Sequence, residues 1–206
     1  MSTEIEAKFL VTGHDMSERI RALTHVGGYA LLQGVAKAIM DVYLDTGDRA
    51  LLSSGYVCRR REQQGARLIS IKSTASSSSA VHRREELEVT IPADLPPEAW
   101  PASEAREKVQ ALIGAKPLGE MFRLSQSRFV RRVVDGERHV ADYSLDDVRV
   151  GEGATEHAWH ELEIEIAPDG TEADLAAMCG WLSANLGLQA STGSKFETAL
   201  DALGLA

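Results

Sequence analysis

Acidic and apolar residues alternate in two short segments, one near each end of the chain. Residues 4–8 read Glu-Ile-Glu-Ala-Lys, and residues 161–165 read Glu-Leu-Glu-Ile-Glu. Because a β-strand places successive side chains on opposite faces, each segment gathers its charges on one face and its apolar side chains on the other. Carboxylates this close together repel one another unless cations lie between them. The two segments therefore indicate a divalent-metal site inside a barrel.

Arginine and glutamate recur at the same spacing in other segments that alternate polar and apolar residues. The residues concerned are Arg59, Arg61, Arg84, Glu86, Glu88, Arg128 and Arg132. Taken one at a time, each segment fits the solvated outer face of an ordinary β-sandwich. Taken together, charges two residues apart favour faces that line a lumen, with helices covering the apolar faces.

A lumen of this kind suits a ligand that carries several negative charges. Arginine makes bidentate contacts to phosphate, and lysine adds a point charge. Carboxylates hold Mg²⁺ or Mn²⁺, which prefer oxygen ligands and share them with phosphate. Such a metal polarises a phosphoryl oxygen and stabilises charge in the transition state. The charged residues thus predict chemistry on a phosphate chain.

A large antiparallel sheet is needed to position these side chains. Alternation predicts strands over residues 3–11, 36–45, 56–63, 66–73, 81–91, 120–135, 137–146 and 158–167. Helical periodicity and capping residues predict helices over residues 17–27, 103–113 and 172–186, and we expect a short helix within residues 193–204. We therefore predict an α+β fold, in which an eight-stranded antiparallel β-barrel forms a tunnel with helices packed on the outside.

Capping residues predict where helices begin and end, and a run of serines predicts a loop. Ser17 and Ser103 are the predicted caps of the first two helices, and Gly187 is predicted to end the third. The serine run at residues 76–79 is predicted to be a flexible loop. That run is too short to separate domains, so we expect a single domain over residues 1–206.

Composition narrows the class of protein. The net charge of −9 argues against a nucleic-acid partner, because such proteins neutralise many phosphates with basic residues. No basic leader and no run of 18 apolar residues is present, so we expect no membrane partner. Cys58 and Cys179 are far apart and are predicted to be reduced thiols, which fits a cytoplasmic protein.

Several short motifs occur in an order that resembles the CYTH-like family, also called triphosphate tunnel metalloenzymes. The opening residues 4–8 match its ExExK signature, and residues 161–165 resemble its ExExE strand. The remaining matches lie at residues 43–46, 59–62, 71–73, 84–86, 128–132, 145–148 and 194–197. Together they cover essentially the entire chain.

The resemblance implies an eight-stranded tunnel that binds a triphosphate with Mg²⁺ or Mn²⁺. It places metal on Glu4, Glu6, Glu163 and Glu165, while Asp146 either binds a second metal or pairs with an arginine. The catalytic set that it implies is Glu4, Glu6, Lys8, Glu161 and Glu163, with Glu161 binding metal or orienting a water. The phosphate path that it implies is Lys8, Arg59, Arg61, Lys72, Arg84, Arg128, Arg132 and Lys195. Arg131 competes with Arg132 for the last strand, and periodicity favours Arg132 slightly.

The lead hypothesis is hydrolysis of inorganic triphosphate to pyrophosphate and phosphate. A class IV adenylyl cyclase and a thiamine or nucleoside triphosphatase remain alternatives, although aromatic residues make up only 5% of the chain. A polyphosphate- or nucleotide-binding module is the alternative outside enzymes, but pure anion binding needs no strands of carboxylates. A homodimer is an arrangement that the sequence leaves open.

Overall fold

The structure is a computed structural model that describes residues 2–63, 65–74 and 81–206. Its strands are β1 (Ser2–Val11), β2 (His25–Val26), β3 (Tyr29–Leu31), β4 (Val35–Asp45), β5 (Tyr56–Gln63), β6 (Ala66–Ser73), β7 (Val81–Ile91), β8 (Gly119–Asp135), β9 (Arg138–Val150) and β10 (His157–Ile166). Its α-helices are α1 (His14–Ala22), α2 (Ala50–Ser53), α3 (Glu104–Ile113), α4 (Glu172–Leu186) and α5 (Lys195–Leu203). The predicted serine loop at 76–79 lies outside the described residues.

The sheet closes on itself. Its strands follow the order β8-β4-β5-β6-β7-β1-β10-β9, and β9 pairs again with β8. Within the described part of the chain, eight strands thus form a closed antiparallel barrel, which confirms the prediction. The two short strands β2 and β3 lie outside this ring: they pair with each other, and β3 joins the end of β8 at Val133 and Val134.

Two apolar clusters cover the outer face of the barrel. On one side α4 buries Leu175, Met178 and Leu182 against strands that include β10, whose Leu162 and Ile164 are fully buried. Burying each such side chain contributes roughly 2 kcal/mol, so packing holds the helix against the sheet. Another cluster joins α3 to β6 and β7 in the same way. The predicted arrangement of helices outside the barrel is therefore confirmed.

A third apolar cluster closes one end of the barrel interior. Tyr43 of β4 lies two residues from Asp41 and shares its inward face. Its ring contacts Phe122 of β8 and Phe196 of α5, with ring centroids 4.8 Å and 5.2 Å away. The first turn of α5 therefore lies at the barrel mouth, and Lys195, next to Phe196, reaches the charged interior.

Two of the three predicted capping residues, Ser103 and Gly187, are confirmed. Ser103 accepts a hydrogen bond from the Arg106 amide at the start of α3. The helices α4 and α5 each begin with a reciprocal capping box, and α4 ends where predicted, at Gly187 in the left-handed conformation. None of the helices in the described residues is long and apolar enough to span a bilayer.

The first predicted helix is wrong in its bounds. We predicted residues 17–27 with Ser17 as the cap, but α1 begins at His14 after Gly13 and ends at Ala22. Val26 instead belongs to β2, which turns into β3 through Gly27 and Gly28. Both glycines have positive φ, as a two-residue hairpin turn requires, and this turn was missed because the apolar spacing continued across it.

Candidate active site

A cavity of about 590 Å³ occupies the barrel interior. Among the described residues that line it, seven are basic: Lys8, Arg59, Arg61, Lys72, Arg84, Arg128 and Lys195. Seven more are acidic: Glu4, Glu6, Glu86, Glu88, Glu163, Glu165 and Glu197. The charges of the lining therefore balance, and the volume falls within the range of small-molecule sites.

Strand register brings the two alternating segments of the sequence side by side. In the antiparallel pair β1–β10, Glu6 lies opposite Glu165 and Lys8 lies opposite Glu163. On the other edge of β1, Glu4 lies opposite Arg84 of β7. Since directly opposite side chains lie on the same face of a sheet, the acidic residues from both ends of the chain meet inside one cavity.

Lysines hold these carboxylates in ion pairs. The Nζ atom of Lys8 lies 3.0 Å from Glu6 and 3.1 Å from Glu163. The Nζ atom of Lys72 lies 2.8 Å from Glu4 and 3.2 Å from Glu86. Burial disfavours a charged Lys8, but the neighbouring carboxylates outweigh this effect and raise its pKa. The site is therefore strongly ionised while its charges neutralise one another.

Lys195 of α5 joins three carboxylates at the closed end of the barrel. Its Nζ atom lies 2.7 Å from Glu163, 2.8 Å from Glu161 and 3.0 Å from Asp146. Burial opposes the charge of Lys195, but these carboxylates raise its pKa. Although burial also favours a neutral Glu163, the charges of Lys195, Lys8 and Arg128 hold the pKa of that carboxyl well below its usual range.

Asp146 and Glu161 lie behind the cavity lining. Asp146 is fully buried and accepts two hydrogen bonds from Arg128, at 2.8 Å and 2.6 Å. The same guanidinium donates to Glu163 at 2.5 Å. Burial raises the pKa of Glu161, whose carboxylate accepts a hydrogen bond from Lys195. Of the two roles that the sequence left open for Asp146, the structure displays the pairing with an arginine.

The donor set suits a hard divalent cation. Glu4, Glu6, Glu163 and Glu165 offer only oxygen atoms, the ligands that Mg²⁺ and Mn²⁺ prefer. Partial withdrawal from water and the charges of Glu4 and Glu6 raise the pKa of Glu165 to about 7, a repulsion that a cation would relieve. Over residues 2–63, 65–74 and 81–206, however, no three acidic, histidine or cysteine side chains converge as ligands, because lysines and Arg128 engage most of these carboxylates.

Comparison with known protein families supports the resemblance that the motifs and the closed barrel indicate. The model of the CYTH domain matches residues 2–200. This chain belongs to the CYTH domain family. No curated protein sequence is similar enough to this CYTH domain to count as a match.

Solved structures share its fold at low identity. A candidate adenylyl cyclase from Hippeastrum, described as having a dominant triphosphatase activity, is 21% identical, with a TM-score of 0.73 over 96% of this chain and 95% of its own. A candidate adenylate cyclase of Bacillus halodurans is 18% identical, with a TM-score of 0.62 over 96% and 98%. A protein of Pyrococcus horikoshii is also 18% identical, with a TM-score of 0.58 over 96% and 98%. At these identities the likeness concerns the fold alone.

Most of the residues proposed for the phosphate path of this CYTH domain line the cavity, but Arg132 does not. Arg132 is exposed, and it lies outside the lining that the described residues form. Arg131, the alternative, points away from the cavity and donates hydrogen bonds to the carbonyl oxygens of Leu31 and Leu32. The preference for Arg132 is therefore corrected: Arg128 is the residue of this stretch of β8 that reaches the cavity, since Arg132 lies four residues closer to the end of the strand.

The sequence reasoning missed Asp41, which supports the cavity lining from behind. Asp41 of β4 is fully buried and contacts both Arg59 and Arg61. The alternation of β4 does place Asp41 on the charged face. Its partners could not be inferred, because they come from strands whose register the sequence does not reveal.

Proposed function

We propose that this CYTH domain hydrolyses inorganic triphosphate to pyrophosphate and phosphate, with Mg²⁺ or Mn²⁺ as its cofactor. The observation that carries the proposal is the concentration of seven lysines and arginines, interleaved with carboxylates, on the wall of one cavity. A triphosphate carries negative charge along its whole length, so contacts along a lined tunnel suit it better than a single anion site.

Glu4, Glu6, Glu163 and Glu165 are the residues that we propose as metal ligands. When bound, the cation would neutralise charge on the phosphate oxygens and polarise the phosphoryl group. Each of these carboxylates except Glu165 now contacts a lysine, so cation and substrate would exchange partners with the ion pairs already present. Asp146 is left out of this proposed set, because Arg128 and Lys195 occupy its carboxylate.

The basic residues are proposed to hold the phosphate chain in line for attack. Arg59, Arg61 and Arg128 present planar guanidinium groups, which can bind two oxygens of one phosphate. Lys8 and Lys195 are buried cations beside Glu163, where they would neutralise charge that develops on the phosphoryl oxygens. Glu163 is proposed to orient the attacking water, while Glu161, behind the lining, is proposed to hold Lys195 in place. Closure of one barrel end by Phe196 would limit the access of bulk water.

A second candidate substrate is an organic triphosphate. Beside Arg59, the cavity is also lined by Tyr43, Leu52, Val57 and Phe196, which offer an apolar wall that an inorganic chain does not need. A thiamine or nucleoside group could lie there. Cyclisation of a nucleotide is the weaker form of this candidate, since the Hippeastrum relative is described by its triphosphatase activity.

Phosphate release from tripolyphosphate, with Mg²⁺, with Mn²⁺ or with a chelator, tests the proposal. ATP and thiamine triphosphate serve as parallel substrates, with cyclic nucleotide measured in the ATP reaction. We expect metal-dependent turnover that Glu163→Gln lowers by about 100-fold or more. Glu120→Gln, on the outer surface in a pair with Arg123, is the matched control and should turn over normally. Tight metal-independent binding without turnover would instead favour the binding module.

A further inference from the structure

Asp41 has a position that neither metal binding nor direct substrate contact explains. It lies on the inward face of β4, its exposure is 0%, and it is absent from the described residues that line the cavity. An isolated buried carboxylate is costly, so its partners must compensate. Those partners are Arg59, Arg61 and Gln126, which come from the two strands that flank β4.

The contacts of Asp41 fix the plane of one guanidinium group and the direction of another. Arg61 donates from Nε to Oδ1 at 2.8 Å and from Nη2 to Oδ2 at 2.8 Å, a bidentate pair that leaves the Nη1 side of the fork for another ligand. Arg59 lies 3.6 Å from Oδ2, and its Nε donates to Ser70 at 3.2 Å. Both arginines line the cavity.

Gln126 holds the carboxylate itself. Its Nε2 donates to Oδ2 of Asp41 at 2.5 Å, from the strand on the other side of β4. Gln126 is only 4% exposed, and it is not among the described residues that line the cavity. Three strands therefore contribute to one buried assembly, with the aspartate at its centre and two arginines at its cavity edge.

We propose that Asp41, held by Gln126, is a positioning residue that directs the Arg59 and Arg61 guanidinium groups at the bound phosphate chain. This inference rests on the proposed function, which makes the cavity a triphosphate site. Asp41 does not touch the substrate. It acts by removing conformational freedom from two long side chains before the ligand arrives, which lowers the entropic cost of binding.

The direction in which triphosphate affinity changes when Asp41 loses its charge distinguishes a positioning role from simple electrostatic repulsion. A carboxylate close to a polyanion repels it, so removing the charge of Asp41 would by Coulomb's law alone tighten triphosphate binding. Removing a positioning group does the opposite, because Arg59 and Arg61 then sample orientations that do not bind. Asp41→Asn keeps the shape of the side chain but removes its charge and one of its two acceptor oxygens, so it loosens the hold on the arginines and the two effects predict opposite changes in affinity.

The test measures kcat and KM for tripolyphosphate, and its affinity by calorimetry without metal, in wild type and Asp41→Asn. We expect KM and the dissociation constant to rise about tenfold while kcat changes less than about threefold, since the arginines bind ground state and transition state alike. Gln126→Leu, which keeps both salt bridges of Asp41, should raise KM by a smaller factor. This variant maintains the test if Asp41→Asn does not fold.

Asp45→Asn is the matched control for a merely structural role. Asp45 is also buried on β4, but it accepts hydrogen bonds from the backbone amides of Thr46, Leu51 and Leu52. It should lower the unfolding midpoint and leave KM unchanged. An unchanged or lower KM in Asp41→Asn, with normal wild-type turnover, overturns the positioning role alone. A wild-type protein that neither binds nor hydrolyses tripolyphosphate overturns the proposed function.

Discussion

Lys195 lies between three buried carboxylates, and its removal should expose how strongly they depend on it. We predict that Lys195→Met destabilises the fold by roughly 3 kcal/mol or more at pH 7, because the buried carboxylates of Glu161, Glu163 and Asp146 would be left with too few cations. Urea unfolding followed by circular dichroism measures the loss. At pH 5 the deficit should shrink, since protonation can then relieve the unpaired carboxylates.

An exposed lysine provides the control for this prediction. Lys116 pairs with Asp48 on the surface, where solvent screens both charges. Lys116→Met should leave the unfolding midpoint unchanged at both pH values. Equal destabilisation by the two substitutions would contradict the view that Lys195 acts through buried charge.

For individual residues, the sequence predicted the face on which a side chain lies better than it predicted which residues that side chain contacts. Alternation within a strand fixes the face of each residue, and it assigned five glutamates to one lumen: Glu4, Glu6, Glu161, Glu163 and Glu165. Among the described residues, the lining of the cavity contains all of these except Glu161, which lies behind it. Asp41 obeyed the same alternation but was given no role, because its importance comes from Arg61 and Gln126 on neighbouring strands. A single sequence fixes the face of a residue but not the residue opposite it.

Arg131 of β8 connects the barrel to α1 and β3, which make few backbone hydrogen bonds with it. Its guanidinium donates to carbonyl oxygens of Arg21 and Leu23 at the end of α1, and of Leu31 and Leu32 at the end of β3. We predict that Arg131→Met destabilises the protein by about 2 kcal/mol, since these carbonyls lose donors in a partly buried place. Hydrogen exchange should quicken over α1, β2 and β3 while the barrel strands stay protected.

The neighbouring arginine tests whether this effect is specific. Arg132→Met removes the same charge from an exposed position on the same strand, so both stability and exchange should stay close to wild type. Arg131→Lys should recover only part of the loss, because an ammonium group cannot reach the carbonyls that a planar guanidinium spans. Full recovery by lysine would show that charge matters here and hydrogen-bond geometry does not.

Elements were predictable wherever local pattern and tertiary contact agree. The helix α4 carries its apolar stripe, its capping box and its terminal glycine within one stretch, and its bounds were predicted to the residue. The segment 17–27 failed because an apolar spacing typical of a helix ran across the turn at Gly27 and Gly28. There β3 pairs with β8 more than 100 residues later, a contact that no local pattern signals.

Acid should destabilise the molecule through carboxylates that are held ionised inside it. Burial alone would raise the pKa of Asp41, but Arg59 and Arg61 outweigh it and lower the pKa from 3.8 to about 2. The resulting stabilisation is fully present above pH 4 and is lost as pH falls through 2, about 2 kcal/mol from this residue. Urea unfolding between pH 2 and pH 6 measures how the free energy of unfolding falls with pH. Asp41→Asn should make this fall less steep, and an equally steep fall in that variant would show that Asp41 is not its source.

The balance of charge across the cavity makes metal and triphosphate depend on each other. Seven basic and seven acidic side chains line it among the described residues, so a triphosphate that takes the lysines and arginines leaves the carboxylates unpaired. A divalent cation that takes the carboxylates in turn frees the lysines. We predict that Mg²⁺ and a non-hydrolysable triphosphate together raise the unfolding temperature by more than the sum of their separate shifts.

A variant separates this coupling from the association of Mg²⁺ with triphosphate in solution. Glu4→Gln/Glu165→Gln meets the same dissolved complex, but it lacks two of the proposed metal ligands, of which Glu4 is also paired with Lys72. Its joint shift should therefore fall towards the sum of the separate shifts, while its response to triphosphate alone should grow because Lys72 loses its partner Glu4. Additive shifts in the wild type would mean that the ion pairs of the cavity persist when the ligands bind, and the exchange of partners would then be wrong.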